Sequence, residues 1–263
     1  VIQNNQTTQY EYYSDGTLKS ITYPNGTIEE YTYYPDKSLK KLTNKKADGT
    51  EISTYEYQYD GNNNIVKKID SNGETSYTYN NLNMLLTVVN TQIGKAITYE
   101  YDAVGNRTKE TITTIAGNNV IEYTYNEKNQ LVSKTNNNNT ITYTYDTNGN
   151  EIKVQENGKT ITENTYNARN ELIKAVEDGV TITYEYDILG NRIEKTVGED
   201  TTQYFYEGNN VVLELNADGE QIAKNVYGIH LISRIEGENI GYYFYNGHGD
   251  VVQILDSNEG NRF

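Results

Sequence analysis

The chain has 263 residues, 27 of them Tyr, with 2 Pro, 1 Met, no Cys, no Trp, 35 % apolar residues and a formal net charge of −15. The absence of cysteine excludes disulfide staples and thiolate metal sites, and the charge opposes binding to nucleic-acid phosphates or anionic membranes. The apolar share falls short of the roughly 45–50 % of ordinary domains, so a thin sheet fits better than a thick core, because tyrosine buries its ring and keeps its hydroxyl wet.

Disorder is disfavoured, because β-branched and aromatic residues are abundant and regularly placed. No run approaches the roughly 18 apolar residues of a membrane span. No signal peptide is visible, and Val1 falls inside repeat sequence, so the chain reads as a piece of a longer protein.

Tyrosine-rich segments recur along the chain. Their marker tyrosines are Tyr12, Tyr33, Tyr59, Tyr79, Tyr101, Tyr125, Tyr145, Tyr166, Tyr186, Tyr206, Tyr227 and Tyr245. Each closes a predicted strand. In the unit from Ile97 to Ile112, Ile97, Tyr99 and Tyr101 alternate with Thr98, Glu100 and Asp102. Strict alternation predicts a half-buried strand with rings on one face and Thr and acid on the other.

A turn follows each marker. Asp or Asn comes directly after it in eight of twelve units, including Asp60, Asp102, Asp146 and Asp187, placed to accept from turn amides. Four residues on, Gly or Asn occupies ten of twelve, the two types that best tolerate positive φ. Six residues on, an aliphatic residue opens the second strand, as at Leu18, Leu39, Ile65, Leu85, Leu131, Leu172, Val212 and Val251. Tight-hairpin dipeptides then link unit to unit: Asn25-Gly26, Asp48-Gly49, Asn72-Gly73, Asn157-Gly158, Asp178-Gly179 and Asp218-Gly219. Asn136 to Asn139 reads as a loop.

Three units depart from the pattern. Tyr13 and Tyr34 replace the Asp of the first two turns, and the unit at Tyr227 lacks its Tyr-x-Tyr pair. Irregular pairing or a bend is expected there. Residues 1–263 thus form a single array of about twelve two-stranded units. The expected fold is all-β: tandem hairpins in a long curved or spiralling antiparallel ribbon, with tyrosine and aliphatic ladders between repeats. About 24 strands at roughly 4.8 Å give about 115 Å of ribbon, and an open sheet that long curls.

The segments 99–107 (Tyr-Glu-Tyr-Asp-Ala-Val-Gly-Asn-Arg) and 184–192 (Tyr-Glu-Tyr-Asp-Ile-Leu-Gly-Asn-Arg) resemble the YD repeat of RHS-repeat proteins. Units with Asn-x-Leu at 129–131 and 170–172 resemble its companion variant. Residues 227–263, with Tyr227 to Arg234 and Tyr242 to Val252, resemble the start of the RHS-associated core of wall-associated and polymorphic-toxin proteins of Gram-positive bacteria. The resemblance implies a secreted or cell wall-associated protein whose repeats form a partial RHS shell. It implies a covalently linked C-terminal toxin or effector domain as partner, released by a downstream aspartate-containing motif.

Individual residues point to structure rather than chemistry. His230 and His248 are the only histidines, and neither has a ligand-like neighbour pattern. His248-Gly249-Asp250 fits a hydrogen-bonded His/Asp pair less well than a hairpin turn. Asp102, Asp146 and Asp187 recur too sparsely for a shared calcium cage and read as turn caps. Glu29-Glu30 and Glu199-Asp200 read as solvated acid near loops. Arg107 and Arg192 read as surface or inter-repeat ion pairs. No catalytic, cofactor-binding or metal residue is expected, no cofactor, and no enzymatic activity; no Gly-x-Ser-x-Gly is present. The competing reading is a surface adhesin or carbohydrate-binding module using exposed tyrosine. Unpaired strand edges invite self-association.

Overall fold

A computed structural model describes residues 2, 3 and 6–261; Val1, Asn4, Asn5, Arg262 and Phe263 lie outside the described residues. No helix occurs among the described residues, and consecutive strands pair antiparallel. The fold is an all-β antiparallel ribbon of tandem hairpins. It divides into two compact units: one of residues 1–95 and 223–263, the other of residues 96–222.

The alternation is as expected. In Lys95–Tyr101, Ile97, Tyr99 and Tyr101 are half-buried, and Thr98 and Glu100 are exposed. The exposed face carries cross-strand ion pairs, Glu100 with Lys109 (3.2 Å) and Lys41 with Glu56 (3.2 Å), each directly opposed in register. Such exposed pairs contribute little apiece.

The marker turns that open with Asp share one design. Asp102 N–H donates to Asn106 O (2.9 Å) and Gly105 N–H to Asp102 O (3.2 Å). The Asp102 carboxylate accepts from the amides of Val104 (3.0 Å) and Asn106 (2.8 Å) and from Asn106 Nδ2 (2.9 Å). Asp60, Asp146 and Asp187 repeat this set. Hydrogen bonding from the following Asn side chain, then from the amides, holds these carboxyls below their usual range. The sequence position four after the marker has positive φ at Gly105, Gly149 and Gly190, and at Asn63, Asn129 and Asn170. The tyrosine then faces the residue six positions on across a register shift, as Tyr101 faces Arg107 and Tyr186 faces Arg192. This is a β-bulge built into every such hairpin.

Several details differ from expectation. Tyr13 and Tyr34 do not disturb pairing: Tyr12 faces Leu18 and Tyr33 faces Leu39 with the usual shift. The cap has moved two residues along, where Asp15 accepts from Thr17 N (3.0 Å) and Asp36 from Ser38 N (3.0 Å). In the tenth unit the turn shortens, so Tyr206 faces Val211 rather than Val212, and Gly208 takes positive φ while Asn210 lies in a strand. The linking dipeptides do not share one geometry, and at Asn72-Gly73 the glycine already pairs with Asp70 as a strand residue. Asn157-Gly158 and Asp178-Gly179 have positive φ at both residues, the two-residue mirror turn. Gly26, Gly49 and Gly219 instead close wider turns of the marker type. Asn136 and Asn139 pair as strand residues, leaving only Asn137 and Asn138 in the turn.

The 96–222 unit is a thin meander whose buried side chains include Ile121, Tyr123, Val154, Ala175 and Ile182. The other unit has a denser core. Ile21 and Tyr23 from its N-terminal stretch pack against Ile232, Tyr242, Phe244 and Leu255, all at most 2 % exposed.

Candidate functional site

The recurring structural element is the marker hydroxyl. Backbone pairing between one unit and the next stops two residues short of the strand start. It ends at Ser133 with Thr142, Lys174 with Thr183, and Glu194 with Gln203. The marker tyrosine of the following strand donates to the carbonyl left over. Tyr145 reaches Leu131 O (2.8 Å), Tyr186 reaches Leu172 O (2.9 Å) and Tyr206 reaches Arg192 O (2.8 Å). The same bond joins Tyr59 to Leu39, Tyr79 to Ile65, Tyr125 to Arg107, Tyr166 to Glu151 and Tyr245 to Leu231. An unpaired carbonyl would carry a desolvation cost, and the phenol removes it.

The expected ladder of stacked rings is therefore replaced, over much of the chain, by hydroxyl-to-carbonyl bonds. Edge-on ring pairs do occur at Tyr13 with Tyr33 and Tyr34 with Tyr59, both at 6.4 Å. Arg107 lies over Tyr99 (5.3 Å) and Tyr123 (4.9 Å), and Arg192 over Tyr184 (5.4 Å) and Tyr204 (5.2 Å). An arginine on the middle strand is thus clamped by rings on both neighbours. Arg107 adds an ion pair to Glu110 (3.3 Å). The ion-pair reading holds for Arg107 and omits the ring clamp common to both.

Turn edges are also bonded side by side. Asn106 Nδ2 donates to Asn129 Oδ1 (3.0 Å), and Asn150 Nδ2 to Asn170 Oδ1 (2.9 Å). Shallow grooves recur in one register between a turn and the next strand end, at Asn126–Gln130 beside Tyr143–Thr147 and at Tyr34–Ser38 beside Gln58–Asp60.

Glu29 overturns its sequence reading. It lies within Ile28–Tyr33 and is fully buried, not solvated near a loop. Its carboxyl accepts from the Tyr31 hydroxyl and, across 216 residues of chain, from Tyr245 N (3.4 Å). Burial pushes the carboxyl up to about 7, against the pull of the hydrogen bonds it accepts from the Tyr31 hydroxyl and Tyr245 N. Nearby, Tyr23 donates to Tyr243 O (3.1 Å), Asn44 Nδ2 to Tyr245 O (3.4 Å), and Gly247 N to Tyr57 Oη (2.8 Å). A Cβ on Gly247 would meet the Tyr57 ring at 2.6 Å, so only glycine allows this approach. These contacts form a seam between the two stretches of one unit. The burial of Glu29 was signalled in the alternation: it holds the ring-face register that Ile97, Ile121, Ile141 and Ile182 hold in other units.

The histidines fall at this seam. His230 packs 4.2 Å from the Tyr245 ring, with its pKa lowered by burial. His248 sits in a turn, where its amide and that of Asp250 donate to Asn246 Oδ1 (2.9 and 3.1 Å). The Asp250 carboxylate accepts from Asn246 Nδ2 (3.0 Å). Among the described residues, no group of three or more His, Asp or Glu is placed to hold a metal ion.

Tandem tyrosine-capped hairpins of this kind define a class of repeat protein. The RHS Repeat family matches residues 59–92 and 125–161. The chain is 34 % identical over 185 residues to the tRNA3(Ser)-specific nuclease WapA of Bacillus spizizenii, and 32 % identical over 185 residues to the tRNA nuclease WapA of Bacillus subtilis. Each match covers 68 % of this chain and 8 % of the relative. Among solved structures, the Tc holotoxin pore of Photorhabdus luminescens matches with TM-score 0.75 at 19 % identity, covering 97 % of this chain and 15 % of that one. The crystal structure of TcdB2-TccC3 matches with TM-score 0.71 at 17 % identity, covering 98 % and 16 %. These likenesses establish the fold. The chain belongs to the RHS-repeat proteins, and it spans less than a tenth of the length of the curated relatives it matches.

Proposed function

We propose that this chain is a wall segment of a larger exported RHS-repeat protein whose β-shell encloses a covalently linked C-terminal toxin or effector. The observation that carries this reading is the repeated hydroxyl cap. At eight marker tyrosines it seals the splayed edge between one hairpin and the next, which ties short units into a wall. Likeness to toxin relatives supports the same reading. On this reading, any nuclease activity named for the relatives belongs to another part of the parent protein, and residues 227–263 lead into its core region.

The test is protease protection of the parent protein. The C-terminal domain should resist digestion while the repeats are folded, and become digestible once they are opened by mild denaturant. Digestion of that domain at the same rate in both conditions would refute enclosure.

A further inference from the structure

The carboxyl of Glu29 joins two distant stretches of one unit, and no catalytic or binding role absorbs it. It is fully buried on the ring face, in a register where most other units carry an uncharged aliphatic or small side chain. The titratable groups facing it are all tyrosines: Tyr31 on its own strand, Tyr23 from the preceding turn, Tyr10 from the N-terminal strand and Tyr245 across the seam. Among the described residues, no cation pairs with it. A charge there would be buried without an opposite charge, which is costly. Asn44, which faces Glu29 in register, gives its Nδ2 donors to Ser53 Oγ (2.9 Å) and Tyr245 O (3.4 Å), so it offers no side-chain donor to solvate an ion there.

We propose that Glu29 is a proton-operated latch: protonated, it holds the strand Ile28–Tyr33 against Asn239–Tyr245, and ionised, it loosens that seam. The sign follows from the direction of the shift. An acid whose folded pKa is raised from 4.5 to about 7 contributes fully when the pH is below the unfolded value. Its contribution is lost as pH rises from 4.5 and reaches its floor above about 7. Glu29 therefore favours the seam most in acid and least at neutral and alkaline pH. His230 acts with the opposite sign, because a histidine buried neutral opposes acid. A comparison with a variant that keeps His230 separates the two.

The experiment is amide hydrogen exchange on the full chain, read at Tyr245 as a protection factor, in the native protein and in Glu29→Gln. The ratio of native to variant protection should fall by about seventyfold from pH 5 to pH 8. Tyr31→Phe gives an independent check. It removes a hydroxyl that favours the carboxylate, so the midpoint of the native transition should move to higher pH. A native-to-variant ratio that is flat across this range would overturn the latch. If Glu29→Gln fails to fold, an unmoved midpoint in Tyr31→Phe does the same.

Discussion

A single hydroxyl decides how each hairpin meets the next. Phenylalanine would bury the same ring at a marker position but leave one carbonyl unpaired. Replacing Tyr186 with Phe strands Leu172 O and should lower the unfolding free energy by about 1 kcal/mol, read as a shift in urea midpoint. The marker tyrosines were plain in the sequence as a period, and their half-burial followed from alternation. The identity of the hydroxyl's partner was not, because it depends on where backbone pairing stops, and spacing does not report that. Glu29 was misread for a different reason. Glu29-Glu30 read as one solvated pair near a loop, but only Glu30 is exposed, ion-paired with Lys45, while parity with Tyr31 and Tyr33 places Glu29 inside.

Among the elements, the turns were the most legible. Asp or Asn after the marker and Gly or Asn three further on are demanded by the backbone, so their chemistry carries over from unit to unit. Lys37 is one exception, holding φ of 69° in a register where most units use Gly or Asn. Its ammonium reaches only the exposed Asp15 carbonyl (3.1 Å). Lys37→Gly should therefore raise stability, by about 1 kcal/mol, as the left-handed penalty is removed. Gly158→Ala should do the reverse by a similar amount, because Gly158 sits at φ 84° beside Asn157 at 49°, in open space where only the backbone conformation opposes a side chain. Urea unfolding of both variants checks the opposite signs. The dipeptides themselves did not reveal which turn they would form. Asn25-Gly26 and Asn157-Gly158 are the same letters, and the first closes a wider turn because Tyr23 N–H bonds Thr27 O.

For the molecule, periodicity explains the ribbon but not the seam. Stability in a repeat array is a sum of units and their nearest neighbours, and the 96–222 unit fits that account. The other unit adds contacts that skip the array: Asn25 Nδ2 to Asp256 O (3.2 Å) spans 231 residues, and the Tyr23 ring lies 4.9 Å from that of Phe244. No spacing rule in the sequence could supply them, since they depend on which turns of the ribbon come together.

Phe244 tests whether the seam is a structural joint. It is fully buried between Tyr23 and its neighbours, so Phe244→Ala should cost about 3–5 kcal/mol, lost contacts and a residual cavity together. A purely nearest-neighbour ribbon would confine the damage to strands adjoining Asn239–Tyr245. A joint would carry it to Leu18–Thr22 and Ile28–Tyr33, more than 200 residues earlier, because Tyr23 and Glu29 lose the surface they pack against. Residue-resolved hydrogen exchange distinguishes the two: protection at Ile21 and Tyr31 should fall together with that at Tyr242.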